Sequence, residues 1–259
     1  MGIVNVTPDS FSDGGLFLDP GVAIAHGHAL VRAGAQIIDI GGESTRPGAQ
    51  PVARDDELRR VLPVIEAFAD SGTRISIDTT KADVARRALD AGATVVNDIS
   101  AFRFDPEMAA VTADAGATCV LMHMLGEPRT MQDDPRYDEV VSDVKAFLEE
   151  RLTYATSQGI PEDNIWLDPG IGFGKTLEHN LELIERLDEI VAIGRPVVFG
   201  ASRKSFLGKL TGRQVDERLA GTIAANIIAY ERGAHVFRVH DVAPTVDALT
   251  VAAATVRRS

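Results

Sequence analysis

One cysteine, one tryptophan and three tyrosines are all that 259 residues supply of those types. With Cys119 alone, no intrachain disulfide can form, which points to a reducing and therefore cytoplasmic setting. Cys119 lies in the apolar run Thr118-Cys119-Val120-Leu121 and reads as a small buried hydrophobe. Thiolate metal centres are excluded, and the six histidines offer no i,i+4 pair on an expected helix, so a zinc site is not expected. Positive charge is also scarce: 26 Lys and Arg stand against 38 Asp and Glu, a formal net charge of −12. No basic stripe exists to displace the counterions of a polyanion, which argues against nucleic-acid binding. Any anionic ligand must be held by a few placed cations. No apolar run is long enough to cross a bilayer. The opening Met1-Gly2-Ile3-Val4-Asn5-Val6 lacks a basic region and cleavage site, and Val6 stands where myristoylation needs Ser or Thr, so a soluble chain without a leader is expected.

What is present is apolar mass and rhythm. Hydrophobic residues make up 45% of the chain, enough for a substantial core. The length suits one (β/α)8 barrel, a fold of typically ~250 residues. Ala33-Gly34-Ala35, Ala91-Gly92-Ala93, Ala115-Gly116-Ala117 and Arg232-Gly233-Ala234 each end a helical pattern and precede an apolar run, and Gly72, Gly159 and Gly194 hold comparable places. Glycine suits a helix C′ position because left-handed geometry there disfavours a Cβ. Seven such junctions behind an initial strand imply eight strands: Gly2–Val6, Gln36–Ile40, Arg74–Ile77, Thr94–Val96, Thr118–Met122, Ile165–Leu167, Val197–Phe199 and His235–Val239. Short β-branched runs of this kind suit parallel strands buried on both faces. Helical spacing recurs at Leu58, Val61, Leu62, Ile65 and Phe68, and at Leu183, Ile184, Leu187, Ile190 and Val191. Asp19-Pro20 supplies an N-cap and a first-turn proline, and Thr80-Lys81-Ala82-Asp83 resembles a capping box. An open doubly wound sheet would alternate similarly, but the count of eight and the lack of a composition break favour a single-domain α/β TIM barrel over residues 1–259.

Each apolar run ends in polar groups, as expected where a barrel carries its chemistry at the C-terminal strand ends. Asn5 closes the first; Asp39 lies within the second, followed by Glu43, Ser44, Thr45 and Arg46; then come Asp78, Asn97 with Asp98, His123, Asp168, Ser202 to Lys204, and Arg238 with His240. Asp98 and Asp9 could serve only as turn or helix caps. Pro169-Gly170-Ile171-Gly172-Phe173-Gly174-Lys175-Thr176 ends like a phosphate-binding loop, but Pro169 replaces the first glycine and Lys175 replaces the last glycine of the dinucleotide fingerprint. It is set aside as a nucleotide motif. His179 reads as a helix-start residue.

Met1 to Gly15, Gly41-Gly42-Glu43-Ser44-Thr45-Arg46-Pro47-Gly48, Ser76-Ile77-Asp78-Thr79, Asn97-Asp98-Ile99-Ser100, Leu121-Met122-His123-Met124, Leu167-Asp168-Pro169-Gly170, Gly200-Ala201-Ser202-Arg203-Lys204-Ser205-Phe206 and Arg238-Val239-His240-Asp241 together resemble the motifs of the dihydropteroate synthases, pterin-binding enzymes, in order and over nearly the whole chain. The resemblance implies a condensation of 6-hydroxymethyl-7,8-dihydropterin diphosphate with p-aminobenzoate, releasing pyrophosphate, with C–O cleavage running ahead of nucleophile bonding. Asp78, Asp168, Lys204 and Asp13 would be catalytic. Asp78, Asn97, Asp168, Lys204 and Met122 would take the pterin, whose N–H-rich edge suits carboxylate and amide acceptors. Asn5, Thr45, Arg46, Arg238 and His240 would hold the diphosphate, with Mg²⁺ at Asn5 sharing its charge. Phe11, Thr45, Pro47, Lys204 and Ser205 would receive p-aminobenzoate, where sulfonamides would compete. Arg203 could instead stabilise the barrel mouth through an ion pair, and Phe173 and Phe206 could be packing residues or ring contacts.

Two alternatives remain. A pterin-binding methyltransferase would share Asp78, Asn97 and Asp168 but would not need Asn5, Lys204, Arg238 and His240. An inactive paralogue would not need the closing-loop residues Phe11, Asp13, Thr45 and Arg46. The resemblance also implies a homodimer through late helices, for which Leu219, Ile223, Ile227 and Tyr230 could supply a face. Many family members carry residues ahead of the first strand, so a less covered barrel base is expected here.

Overall fold

The seven junction glycines all turn the chain at positive φ, between 60° and 115°. Each ends a helix and returns the backbone to a strand, as their spacing predicts. The computed structural model describes residues 1–7, 20–45 and 48–255. Among them are eight strands: β1 (Gly2–Asn5), β2 (Ile37–Gly41), β3 (Arg74–Asp78), β4 (Val95–Asp98), β5 (Thr118–Met122), β6 (Ile165–Asp168), β7 (Val198–Phe199) and β8 (Val236–Phe237). All eight match the expected runs to within two residues at each end.

Strands β1 to β6 pair in parallel in chain order, and β7 pairs with β8. Single parallel bridges complete the ring, Leu167 to Val197 between β6 and β7, and Gly2 to Val239 beyond β8. Ile3 N donates to Val239 O at 3.1 Å, and Leu167 N to Pro196 O at 2.9 Å. The sheet is a closed (β/α)8 barrel. Ten α-helices are described: α1 (Pro20–Arg32), α2 (Arg54–Phe68), α3 (Ala82–Asp90), α4 (Met108–Asp114), α5 (Val140–Ser157), α6 (Leu177–Glu185), α7 (Leu187–Val191), α8 (Ser205–Thr211), α9 (Leu219–Glu231) and α10 (Val242–Thr255).

Two local expectations are corrected. The periodic stretch from Leu183 to Val191 is two helices broken at Arg186, whose guanidinium bonds Glu182, Glu189 and Glu139. The Thr80 capping box does not form. Lys81 is the N-cap without a side-chain bond, and Ala82 N donates instead to Asp105 Oδ2 at 2.8 Å. Pro20 does open α1, while Asp19 lies outside the described residues.

Strand alternation divides the core in two. Ile38, Ile40, Ile75, Ile77 and Leu121 face the helix ring, where Phe68 is fully buried; an aromatic of that size contributes roughly 1.5–3 kcal/mol by leaving water. Ile37, Val95, Val120, Trp166 and Val198, with Val236 against them, fill the barrel interior as an apolar floor. Successive strand side chains alternate, so the next inward residue on each strand lies two positions on. Those residues are Asp39, Asn97, Met122, Asp168, Gly200 and Arg238. The fold thus stacks a polar layer directly on an apolar one.

Candidate active site

Parallel pairing sets Asn5, Gly41, Asp78 and Asn97 in one register row across β1 to β4. Met122 and Asp168 pair at the ends of β5 and β6. These residues therefore converge on one mouth. Above the polar layer opens a cavity of about 490 Å³, lined among others by Asn5, Thr45, Asp78, Lys204, Arg238 and His240.

Arg238 is the centre of the charged layer. Its Nε donates to Asp39 Oδ2 at 2.6 Å and its Nη2 to Asp78 Oδ2 at 2.7 Å. Asn97 Nδ2 donates to the same Asp39 oxygen at 3.1 Å. Asp39 is fully buried and its Oδ1 has no partner among the described residues. Arg238, expected with the diphosphate set, therefore sits among the acceptors expected for the pterin. Burial opposes its charge, and Asp39 and Asp78 more than offset that, so its pKa rises. Among the described residues no group accepts from its Nη1, which leaves N–H donors for a ligand.

Asp78 is pushed up to about 7, chiefly by burial; Arg238 draws it back and Asp39 raises it again. Asp168 is also raised by burial, with Lys204 opposing. Lys204 falls to about 8, because burial outweighs the attraction of Asp168 and Arg238 adds repulsion. Two carboxyls raised by burial and an amine lowered by it thus share one mouth, a pattern associated with functional sites. Lys204 Nζ donates to Ile171 O and lies 4.6 Å from the centre of the Phe173 ring.

The remaining expected residues fall as follows. Thr45 and Ser205 line the cavity, Ser205 as the first residue of α8. His240 Nδ1 meets Ser202 Oγ at 2.9 Å, which fixes the ring at the cavity wall. Met122 packs with Ile99, Met124 and Met131 beside Phe173. Phe11, Asp13, Arg46 and Pro47 lie outside the described residues. Asp98 holds the turn after β4, accepting from Ser100 N and Phe102 N, so capping accounts for it. Arg203 pairs with Asp241 through Nε at 2.9 Å and Nη2 at 2.6 Å while its backbone sits at φ 58°; it braces the mouth. Phe173 lines the cavity, whereas Phe206 is buried in the core. His179 caps α6 with Thr176.

Sequence reasoning missed a role for Asp39. A carboxylate inside an otherwise apolar strand, two positions beyond a floor residue, was the available signal. It also set Lys175 aside. That residue is 3% exposed, and its Nζ meets His123 Nδ1 at 2.9 Å, Gly170 O at 3.0 Å and Phe173 O at 3.0 Å.

Comparison with known proteins agrees with this geometry. The pattern of the pterin binding enzyme family matches residues 1–240. The dihydropteroate synthase of Escherichia coli K12 is 46% identical over 256 residues, 98% of this chain and 90% of that protein. The Yersinia pestis dihydropteroate synthase, solved with a sulfonamide drug, superposes with a TM-score of 0.95 at 43% identity, covering 98% of this chain and 93% of the other. The Xanthomonas albilineans dihydropteroate synthase with 4-aminobenzoic acid gives 0.92 at 48% identity, covering 99% and 93%. The chain belongs to the pterin binding enzyme family.

Proposed function

We propose that the barrel mouth joins the methylene of 6-hydroxymethyl-7,8-dihydropterin diphosphate to the amine of p-aminobenzoate and expels pyrophosphate. The activity is that of a dihydropteroate synthase, a transferase of folate biosynthesis. The observation that carries this reading is Arg238 held between Asp39 and Asp78 at the base of a cavity also lined by Lys204 and His240. A ligand with both an N–H-rich edge and an anionic leaving group would use the acceptors and the cations together. A methyl-transferring relative would need the acceptors alone.

In this reading Asp78, Asn97 and Asp168 take the pterin edge over Met122, and charged hydrogen bonds contribute ~1.5–3 kcal/mol each. Lys204 serves the pterin carbonyl, and with Thr45 and Ser205 it meets p-aminobenzoate, the subsite where sulfonamides compete. Arg238, His240 and Asn5 stabilise charge developing on the departing diphosphate. Buried carboxylates favour the cation left at the methylene, so cleavage runs ahead of bond formation and no protein nucleophile is needed. Asp13, Phe11, Arg46 and Pro47 complete the site in this reading.

Magnesium fits the donor set if it arrives with the diphosphate. Asn5 offers one amide oxygen, and among the described residues no group of three His, Cys, Asp or Glu could cage an ion. Magnesium commonly keeps waters and substrate phosphate as ligands. Bound there it would neutralise leaving-group charge. Among the described residues no helix is long and apolar enough to cross a membrane, and the reading places the enzyme in the cytoplasm. It also includes a homodimer through late helices; of the face expected for it on α9, Leu219 is exposed while Ile223, Ile227 and Tyr230 are half-buried, and sedimentation of a monomer at micromolar concentration would remove that part.

The test is pyrophosphate release from the dihydropterin diphosphate, dependent on p-aminobenzoate and Mg²⁺. Asp78→Ala should abolish it with the fold retained by circular dichroism. A corrinoid requirement, or near-normal turnover of Asp78→Ala, would overturn the assignment.

A further inference from the structure

The segment after β6 has an unusual bonding pattern. Five consecutive carbonyls, those of residues 170 to 174, each accept from a side chain. Gly170 O and Phe173 O accept from Lys175 Nζ, both at 3.0 Å. Ile171 O accepts from Lys204 Nζ. Gly172 O accepts from Gln132 Nε2 at 2.6 Å, and Gly174 O from Tyr137 Oη at 2.7 Å. About two-thirds of protein hydrogen bonds join backbone to backbone; here side chains supply a bond to every carbonyl of one loop.

That loop touches both ends of the proposed chemistry. Gly170 N donates to Asp168 Oδ1 at 2.7 Å, Ile171 O seats the Lys204 amine, and Gly172 and Phe173 form cavity wall. Among the described residues Lys175 is the one donor that binds the loop twice, and its third bond, to His123 Nδ1 at 2.9 Å, ties it to the end of β5. We propose that Lys175 is a positioning residue: through the 170–174 carbonyls it fixes Asp168 and Lys204 at the spacing that receives the pterin.

The inference rests on the synthase reading for what those two residues do. It does not rest on charge. Among the described residues no carboxylate bonds Lys175; burial lowers its pKa well below that of a free lysine, Asp168 draws it back and Lys204 repels it, and burial together with Lys175 keeps His123 neutral. The ammonium has three N–H groups for three acceptors. The neutral amine has two for the carbonyls and a lone pair for His123 Nδ1–H. Both forms hold the same loop geometry, so the device itself is indifferent to pH. Lys204 is not, since it is set by burial and by Asp168, Arg238 and Asp78. Loosening the loop admits water to Lys204 and raises its pKa.

The experiment compares wild type with Lys175→Met, nearly isosteric and without donors, at matched folded fraction. Expected are a KM for the dihydropterin diphosphate raised tenfold or more, a KM for p-aminobenzoate changed less than threefold, and an alkaline limb of kcat/KM moved upward from about 8. A role in stability alone would lower Tm while leaving the limb and the KM ratio in place, and that result overturns the proposal. Should Lys175→Met fail to fold, the double variant Gln132→Met/Tyr137→Phe removes two of the loop's donors and leaves Lys175. Movement of KM and limb in the same direction supports the loop's role, and unchanged values sink it. An inactive wild type would instead sink the synthase reading.

Discussion

Asp39 Oδ2 accepts from Arg238 Nε at 2.6 Å across 199 positions of the chain, and the same oxygen accepts from Asn97 Nδ2 at 3.1 Å. One fully buried oxygen thus fixes both a cation assigned to the leaving group and an amide assigned to the ring. Ground-state order in the site depends on it.

Removing that cation should move the pH profile in a definite direction. In wild type, kcat/KM should rise as Asp78 ionises near 7 and fall as Lys204 loses its proton near 8. Arg238 lowers the pKa of both groups. In Arg238→Met both limbs therefore move to higher pH, with activity down ~100-fold or more for the loss of a charge-stabilising donor. A profile that only shrinks, with limbs unmoved, would contradict this electrostatic account.

Lys81 lies between Glu43 and the fully buried Glu57, bonding Glu57 at 2.6 Å. Glu57 is already raised by burial. Lys81→Met leaves it without its cation and raises it further, so the folded state binds a proton that the unfolded state releases. Stability then falls as pH rises through the interval above an ordinary glutamate pKa. The expected loss is slight at about pH 5 and approaches ~3–5 kcal/mol at about pH 8. Urea titrations at the two pH values measure it. An equal loss at both would be inconsistent with an unpaired carboxylate.

Gly170 turns at φ 67°, and a Cβ there would lie 1.9 Å from the carbonyl oxygen of His123. Left-handed geometry alone costs a residue with a Cβ ~1–2 kcal/mol, and a backbone atom cannot move aside cheaply. Gly170→Ala should lose at least ~3 kcal/mol or fail to accumulate folded. A Tm within a few degrees of wild type would show that the loop rearranges freely.

Cys119 is fully buried on β5, and burial pushes its thiol pKa far up. Its reaction with a thiol reagent at about pH 8 should be negligible in the folded enzyme and appear only with global unfolding. Rapid labelling that spares activity would show that β5 opens locally.

The barrel was legible in the sequence because its signals are local. A glycine ending a helix and a β-branched run beginning a strand are written within a few residues, and seven such junctions behind an initial strand fix the count. The polar layer was legible too, since Asn97, Asp168 and Arg238 each stand two positions beyond a floor residue. What was not legible depends on partners far along the chain. Asp39 shows its use only when Arg238 arrives. Lys175 resembled a failed phosphate loop until its acceptors closed around it. Periodicity ran unbroken through Arg186, although Glu139, 47 positions away, helps to hold the break. The Thr80 box gave way because Asp105, 23 positions on, reached Ala82 N first.

The ring is unevenly built. Six strands pair continuously, while β7 and β8 are two residues each and join their neighbours through single bridges. Asp39, Asp78, Asn97 and Asp168 ride on the long arc; Lys204 and Arg238 follow the short one. Local opening favours the least bonded element, so heating should part the cations from their carboxylates before the barrel melts. Catalysis would then be lost several degrees below the unfolding midpoint, with amide exchange quickening first around Phe199 and Phe237.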